Sequence, residues 1–146
     1  MLNIRVMEER DLQSVAKMEK DIFSDPWSID AFADSIKNDS AIFIVAEMND
    51  TVVGFCGVYI MSPEAEIANI AVAKDYRNRG IAQKMLSWQI EQLKEKQVEA
   101  LFLDVRKTNT VAYRLYNKFG FENIAIRKDY YYSPKEDAII MKLEIC

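Results

Sequence analysis

An acid inside an apolar run, a tyrosine on the next helical stretch and a basic turn ending in glycine are the residues best suited to chemistry. The acid is Asp104, within Leu101-Phe102-Leu103-Asp104-Val105. Aspartate is a poor strand residue, and an unpaired buried carboxylate is costly. It can be an ion-pair partner of Arg106, Arg77 or Arg79, a cap of the following turn, or a general base at the C-terminal end of a central strand, where clefts in such sheets open. Tyr113 and Tyr116 follow one helical turn apart, a spacing that usually packs at least one ring in the core. Tyr116 is the better candidate for a hydroxyl facing the cleft of Asp104. Asn109 can cap its own helix or offer an amide to a ligand.

The basic turn is Arg77-Asn78-Arg79-Gly80-Ile81-Ala82, lying between an apolar strand candidate and the longest helical pattern. Free N–H groups at a helix start, the positive end of the helix dipole and two arginines suit an anion. Gly80 lets the backbone approach a ligand, and Ala82 keeps the helix start close. No Gly-Lys-Ser/Thr follows, and the glycine spacing of a dinucleotide fingerprint is missing. Alone, the segment describes a phosphate site or a solvated basic turn.

Histidine is absent from the sequence, which removes imidazole acid–base catalysis and His-ligated zinc. Cys56 and Cys146 have no metal or disulfide spacing, and Cys56 reads as packed in a strand. The net charge of −4 opposes direct nucleic-acid and anionic-membrane binding and suits a cationic partner. With half its residues hydrophobic and 29% charged, the chain has the balance of a globular protein. No apolar run is long enough to span a bilayer and no secretory signal is evident, so a cytoplasmic protein is expected.

The elements that must position these residues follow from periodicity. Residues 4–6 form a short strand, and Asp11 caps a helix with Leu12, Val15, Ala16, Ile22 and Phe23 on its apolar face. After Pro26-Trp27, Ser28 caps a second helix. Residues 41–47 and 52–60 make a hairpin about Asn49-Asp50, and 67–72 is a strand leading into the helix over 80–96. Residues 101–105 are a strand, and Thr108 or Asn109 caps a helix ending at Gly120. Strands over 121–126 and 138–143, joined by a polar tyrosine-rich loop, complete the chain. The order β-α-α-β-β-β-α-β-α-β-β implies an α/β (α+β) fold with a mixed central sheet flanked by helices, in a single domain over 1–146.

The basic turn resembles the Q/R-x-x-G-x-G/A acetyl-CoA motif of the GNAT superfamily of N-acetyltransferases, in the place where that superfamily carries it. Pro26-Trp27-Ser28, Asn69-Ile70-Ala71-Val72, Leu103-Asp104-Val105-Arg106, Leu115-Tyr116, Phe119-Gly120-Phe121 and the stretch from Arg127 through Tyr130-Tyr131 to Met141 resemble, in order along nearly the whole chain, the RimI family of bacterial ribosomal-protein alanine N-terminal acetyltransferases. The resemblance implies acetyl-CoA as cosubstrate, no metal, and direct attack by an α-amino group in a ternary complex. Ile70, Ala71 and Val72 would pair with the pantetheine arm, Arg77, Asn78, Arg79, Gly80, Ile81, Ala82 and Gln83 would hold the pyrophosphate, and Asn109 would bond the cofactor. Asp104 aligns with the general base, a position where that family commonly has glutamate, and a relaying water would close the gap. Tyr116 aligns with the general acid. Trp27, Tyr130 and Tyr131 would wall the peptide site, and the partner would be a protein N-terminus, that of a small-subunit ribosomal protein, with the enzyme a monomer or weak dimer. Two other readings share the cofactor half: a small-amine or lysine N-acetyltransferase, and a non-catalytic acyl-CoA-binding sensor.

Overall fold

The computed structural model describes residues 1–132 and 134–145. Seven strands form one sheet: β1 (Leu2–Val6), β2 (Ala41–Met48), β3 (Thr51–Met61), β4 (Glu64–Val72), β5 (Ala100–Arg106), β6 (Glu122–Tyr132) and β7 (Lys135–Glu144), in the spatial order β1-β2-β3-β4-β5-β7-β6. The helices are α1 (Leu12–Ile22), α2 (Ile29–Ile36), α3 (Ile81–Glu95) and α4 (Thr110–Phe119), which gives the expected order of elements. Asn49 and Asp50 both adopt positive φ, 51° and 64°, the backbone that a tight β2–β3 hairpin demands.

Helices cover both faces. On one, α1 and α2 bury Leu12, Val15 and Phe32 against Phe43, Val45 and Phe55. On the other, α3 and α4 bury Met85, Leu86, Leu93 and Tyr116 against Ile44, Cys56, Ile67, Leu101 and Leu103. The Phe43 ring lies across Gly57, where any Cβ would collide with it. Gln89, fully buried, ties α3 to the sheet by donating to the Ile42 and Cys56 carbonyls at 2.9 and 3.2 Å.

One join in the sheet is short. The parallel pairing of β4 with β5 runs only from Glu64↔Ala100 to Glu66↔Phe102. Just beyond it the β3–β4 register shifts, since Val58 pairs with Ile67 and Gly57 with Asn69. The extra residue, Ala68, is a bulge, and a bulged strand bends. β4 therefore leaves β5 while keeping its partner β3.

Asp11 does not cap α1 with its side chain. Instead it is buried and takes two hydrogen bonds from Arg5, at 2.7 and 2.9 Å, and one from the Glu8 N–H at 2.8 Å. Arg5 also bonds Glu47 on β2 at 2.9 Å, so a charge network outweighs the local cap. Ser28 and Asn109 do cap, accepting from Ala31 N–H at 3.1 Å and Ala112 N–H at 3.2 Å. The tyrosine-rich segment is not a loop: β6 and β7 continue through it, paired as far as Tyr132↔Lys135. Two irregularities in the pairing, between Asn123 and Ala125 and between Arg127 and Tyr131, let the long strands bend.

Burial pushes the Asp11 carboxyl up, but Arg5 and the Glu8 amide outweigh it and hold it below the usual carboxylate range. Its stabilising contribution is thus complete above the unfolded-state pKa of about 3.9 and is lost as pH falls through the lower folded value. Asp11→Ala is expected to cost about 3 kcal/mol at neutral pH in urea denaturation, with the deficit shrinking in the acid range where the wild-type carboxylate protonates.

Candidate active site

The gap between β4 and β5 gathers the chemistry. Ala73 N–H donates to the Val53 carbonyl at 2.8 Å, so alternation along the regular 69–73 register turns the backbone groups of Ala71 toward β3. Those of Ile70 and Val72 point the other way, into the opening. Two neighbouring amides on an exposed strand edge can pair with an extended ligand as a further strand would.

At the end of β4 the chain turns into α3. Asn78 and Gly80 both have positive φ, 63° and 78°, which turns successive N–H groups toward one concavity. No side chain caps α3, so the first-turn amides, including those of Ala82 and Gln83, are open to an anion. The arginines sit differently. Arg77 Nε donates to the Val72 carbonyl at 3.1 Å, and Arg79 donates to the Asp75 carbonyl at 3.2 Å while lying 5.0 Å over the Tyr76 ring. The backbone forms the cradle and the arginines brace its rim. The amides of Ile70 and Val72, in line with this cradle, fit a ligand with an amide-bearing arm and a pyrophosphate.

Asp104 and Tyr116 approach the gap from opposite faces of the sheet. Leu101, Leu103 and Val105 of β5 pack into the core with Tyr116, so Phe102, Asp104 and Arg106 face the other way, half-exposed. Arg106 bonds Glu136 at 3.2 Å and the Pro134 carbonyl at 2.9 Å, and Arg77 and Arg79 bond their own loop. Among the described residues Asp104 forms no ion pair with these arginines, and after burial its charge raises the pKa of the Tyr130 hydroxyl. Tyr116 is 6% exposed with its ring edge-on to Phe121 at 5.7 Å. Burial foremost, then the Cys56 thiol and the Tyr131 phenol, raise its pKa well above the ordinary phenol value. Cys56 is buried, and its thiol is pushed up to about 12.

The β6–β7 hairpin folds Tyr130 and Tyr131 toward Asp104. Asp129, at φ 52°, makes the bulge that turns them in, and its N–H is held by Asp137 at 2.9 Å. Arg106 stacks 4.2 Å over Tyr131, whose hydroxyl is pushed up to about 12 by burial and then by the Asp104 charge. Asn109 uses its carbonyl as the α4 cap, leaving its NH2 group for other partners. Trp27 packs on Phe32 and Phe43, with centroids 5.2 and 6.0 Å apart.

Two residues had escaped notice in the sequence. Glu66, opposite Phe102 on the Asp104 face, has its pKa raised by burial and then by Asp104. Glu19 is 2% exposed, and burial raises its pKa although it accepts from Trp27 N–H at 3.0 Å and from the Asn69 amide at 2.5 Å. It fastens the α1–α2 loop to β4. Its place on the apolar stripe, four residues after Val15, was the available signal.

The chain belongs to the acetyltransferase (GNAT) family, whose model matches residues 12–121. A Bacillus subtilis (strain 168) protein provisionally named ribosomal protein bS18-alanine N-acetyltransferase is 36% identical over 143 residues, 97% of this chain and 95% of its own. The solved structure of the ribosomal-protein-S18-alanine N-acetyltransferase from Escherichia coli is similar at TM-score 0.91 and 33% identity, covering 99% of this chain and 94% of that one. Arabidopsis thaliana NAA60 in complex with acetyl-CoA shares the fold at TM-score 0.91 and 18% identity, over 99% of both chains.

Glu19→Ala leaves the Trp27 N–H and the Asn69 amide without their acceptor, at a cost of about 1–3 kcal/mol. Tryptic cleavage after the exposed Lys20 is expected to accelerate; an unchanged rate would show that the loop is held by its aromatic packing alone.

Proposed function

We propose that this chain is an acetyl-CoA-dependent N-terminal protein acetyltransferase, acting on the N-terminal alanine of a small-subunit ribosomal protein. The observation that carries the reading is the gap itself: a β4 edge that β5 leaves unpaired beyond Glu66, leading to an amide cradle, with Asp104 on one face of the sheet and Tyr116 on the other. Family membership and relatives named for bS18-alanine acetylation support the acceptor.

Ile70 and Val72 hold the pantetheine arm through their backbone, with Ala71 between them turned to β3. Asn78, Gly80, Ile81, Ala82 and Gln83 present amides to the pyrophosphate, Arg77 and Arg79 add positive charge at the rim, and the Asn109 NH2 group contacts the cofactor. The bound thioester supplies an electrophilic acetyl carbon and a thiolate leaving group. A peptide α-amino group has a pKa of about 7.7–8.0, so a carboxylate suffices as its base. Asp104 takes the ammonium proton through a water, and the neutral amine then forms its C–N bond as the C–S bond breaks. Tyr116 gives its proton to the departing sulfur, and the second proton, lost from nitrogen as the amide forms, passes through water to restore the phenol. The raised pKa keeps that phenol protonated through the working pH range. Trp27, Tyr130 and Tyr131 wall the acceptor channel.

Incubation with acetyl-CoA and an alanine-starting peptide, read by mass spectrometry, is expected to show one acetyl group on the α-amine. Acetylation confined to internal lysines or small amines would overturn the N-terminal reading, and CoA binding with no acetylation of any amine would favour a sensor. Tyr116→Phe is expected to lower kcat about 10²-fold while the shift in Tm produced by CoA stays near wild type; an equal loss of that shift would make Tyr116 structural. The wild-type rate should rise as pH passes through the amine pKa and show no downturn from Tyr116 below about pH 10.

A further inference from the structure

A pocket of about 380 Å³ lies beside α2, lined by Trp27, Ala31, Asp34, Ser35, Asn38 and Tyr59. It has an aromatic wall, one carboxylate and no cationic side chain. Its floor has a defined polarity. The single Ser35 proton goes to the Ala31 carbonyl at 2.9 Å, so the hydrogen bond between Ser35 and Tyr59 must use the Tyr59 proton. The Tyr59 oxygen therefore turns only lone pairs to the pocket. A carboxylate, a phenol oxygen restricted to accepting and an indole face together suit a cation.

The pocket also lies on a line with the reaction centre. Tyr59 is directly opposite Glu66 in the β3–β4 register, and Glu66 is opposite Phe102 in the β4–β5 register. Phe102 and Asp104 share one face of β5. Two strand spacings and two residues of rise separate Tyr59 from Asp104, about 12 Å, or three to four residues of extended peptide. Glu66, between them, keeps this floor acidic. The Trp27 wall belongs to the loop that Glu19 fastens to β4.

We infer that this pocket is a specificity subsite for a cationic side chain, an arginine or lysine three or four residues downstream of the acetylated N-terminus. The inference rests on the reading of this chain as an N-terminal acetyltransferase and adds which substrates it selects. Trp27 stacks on the guanidinium or ammonium group, Asp34 pairs with it at the rim, and the Tyr59 oxygen accepts one of its protons. The net charge of −4 favours the same substrates at long range, but only the pocket makes the preference depend on position.

The test uses neutral alanine-starting peptides carrying one arginine at each of positions 2–7 in turn, each matched by a peptide with the uncharged isostere citrulline. The arginine-to-citrulline ratio of kcat/KM is expected to reach about tenfold at position 4 or 5, mainly through KM, and to stay below about threefold elsewhere. Asp34→Asn should bring the ratio at that position close to one. A ratio that is flat along the peptide, or that survives Asp34→Asn, overturns the subsite. A second measurement does not need catalysis. Trp88→Phe leaves Trp27 as the sole tryptophan, and N-acetylated, unreactive forms of the same peptides are titrated against its emission. Tighter saturation by the arginine form at position 4 or 5 supports the pocket, and equal saturation by both forms overturns it. Acetylation without positional preference sinks the subsite alone. Preferential binding with no acetylation of any peptide sinks acetyl transfer and leaves a cation-binding pocket.

Discussion

The short join between β4 and β5 is the constraint on which the rest of the structure depends. A parallel pair in the middle of a sheet normally continues for the length of its strands, because unpaired backbone groups are costly away from water. Here the pairing stops after Glu66↔Phe102 and the bulge at Ala68 bends β4 aside. The edge carrying Ile70 and Val72 is then left for water or for a ligand that can hydrogen-bond like a strand. The opening also lets a side chain from the α4 face meet one from the opposite face, which an intact sheet would forbid. Tyr116 lies on the α4 face of the sheet and Asp104 on the other.

Each neighbouring element keeps this opening in shape. The core packing of α3, with Gln89 bonded to carbonyls of two strands, fixes the helix whose first turn leaves its amides uncapped by any side chain. The β6–β7 hairpin borders the same face, and its irregularity between Arg127 and Tyr131 sets the half-buried Tyr131 against Arg106 while Tyr130 stays exposed. Arg106, Glu136 and Tyr131 hold the base of that hairpin by an ion pair and a cation–π contact. Arg106 is thereby engaged by the hairpin and forms no ion pair with Asp104.

Local signals in the sequence carried the frame well. Period, turn residues and caps are short-range physics, so Ser28, Asn109, Gly120 and the Asn49-Asp50 turn appear in the structure where their chemistry places them. The resemblance to a known family identified Asp104, Tyr116 and the Gly80 turn as a set, which spacing alone had left open. Features set by distant partners were illegible. Asp11 looks like a cap until Arg5 and Glu47 arrive from two strands, and the tyrosine-rich segment looks like a loop until β7 pairs with it. That Arg77 and Arg79 brace the turn through the Val72 and Asp75 carbonyls is likewise set by the folded backbone and not by local sequence. The partners of Glu19 lie on a later loop and on β4, so its position on the apolar stripe of α1 marks burial but not what it holds.

That last carboxylate has a consequence of its own. Glu19 holds the loop bearing Trp27 with one oxygen and β4 with the other, so the proposed acceptor wall and the proposed cofactor edge share a single joint. Linkage through a joint is reciprocal: any preference that an occupied β4 edge confers on the loop is returned by an occupied loop to the edge, by the same factor. Order of binding and order of release are then two views of one coupling, written into a buried glutamate that touches neither reactant.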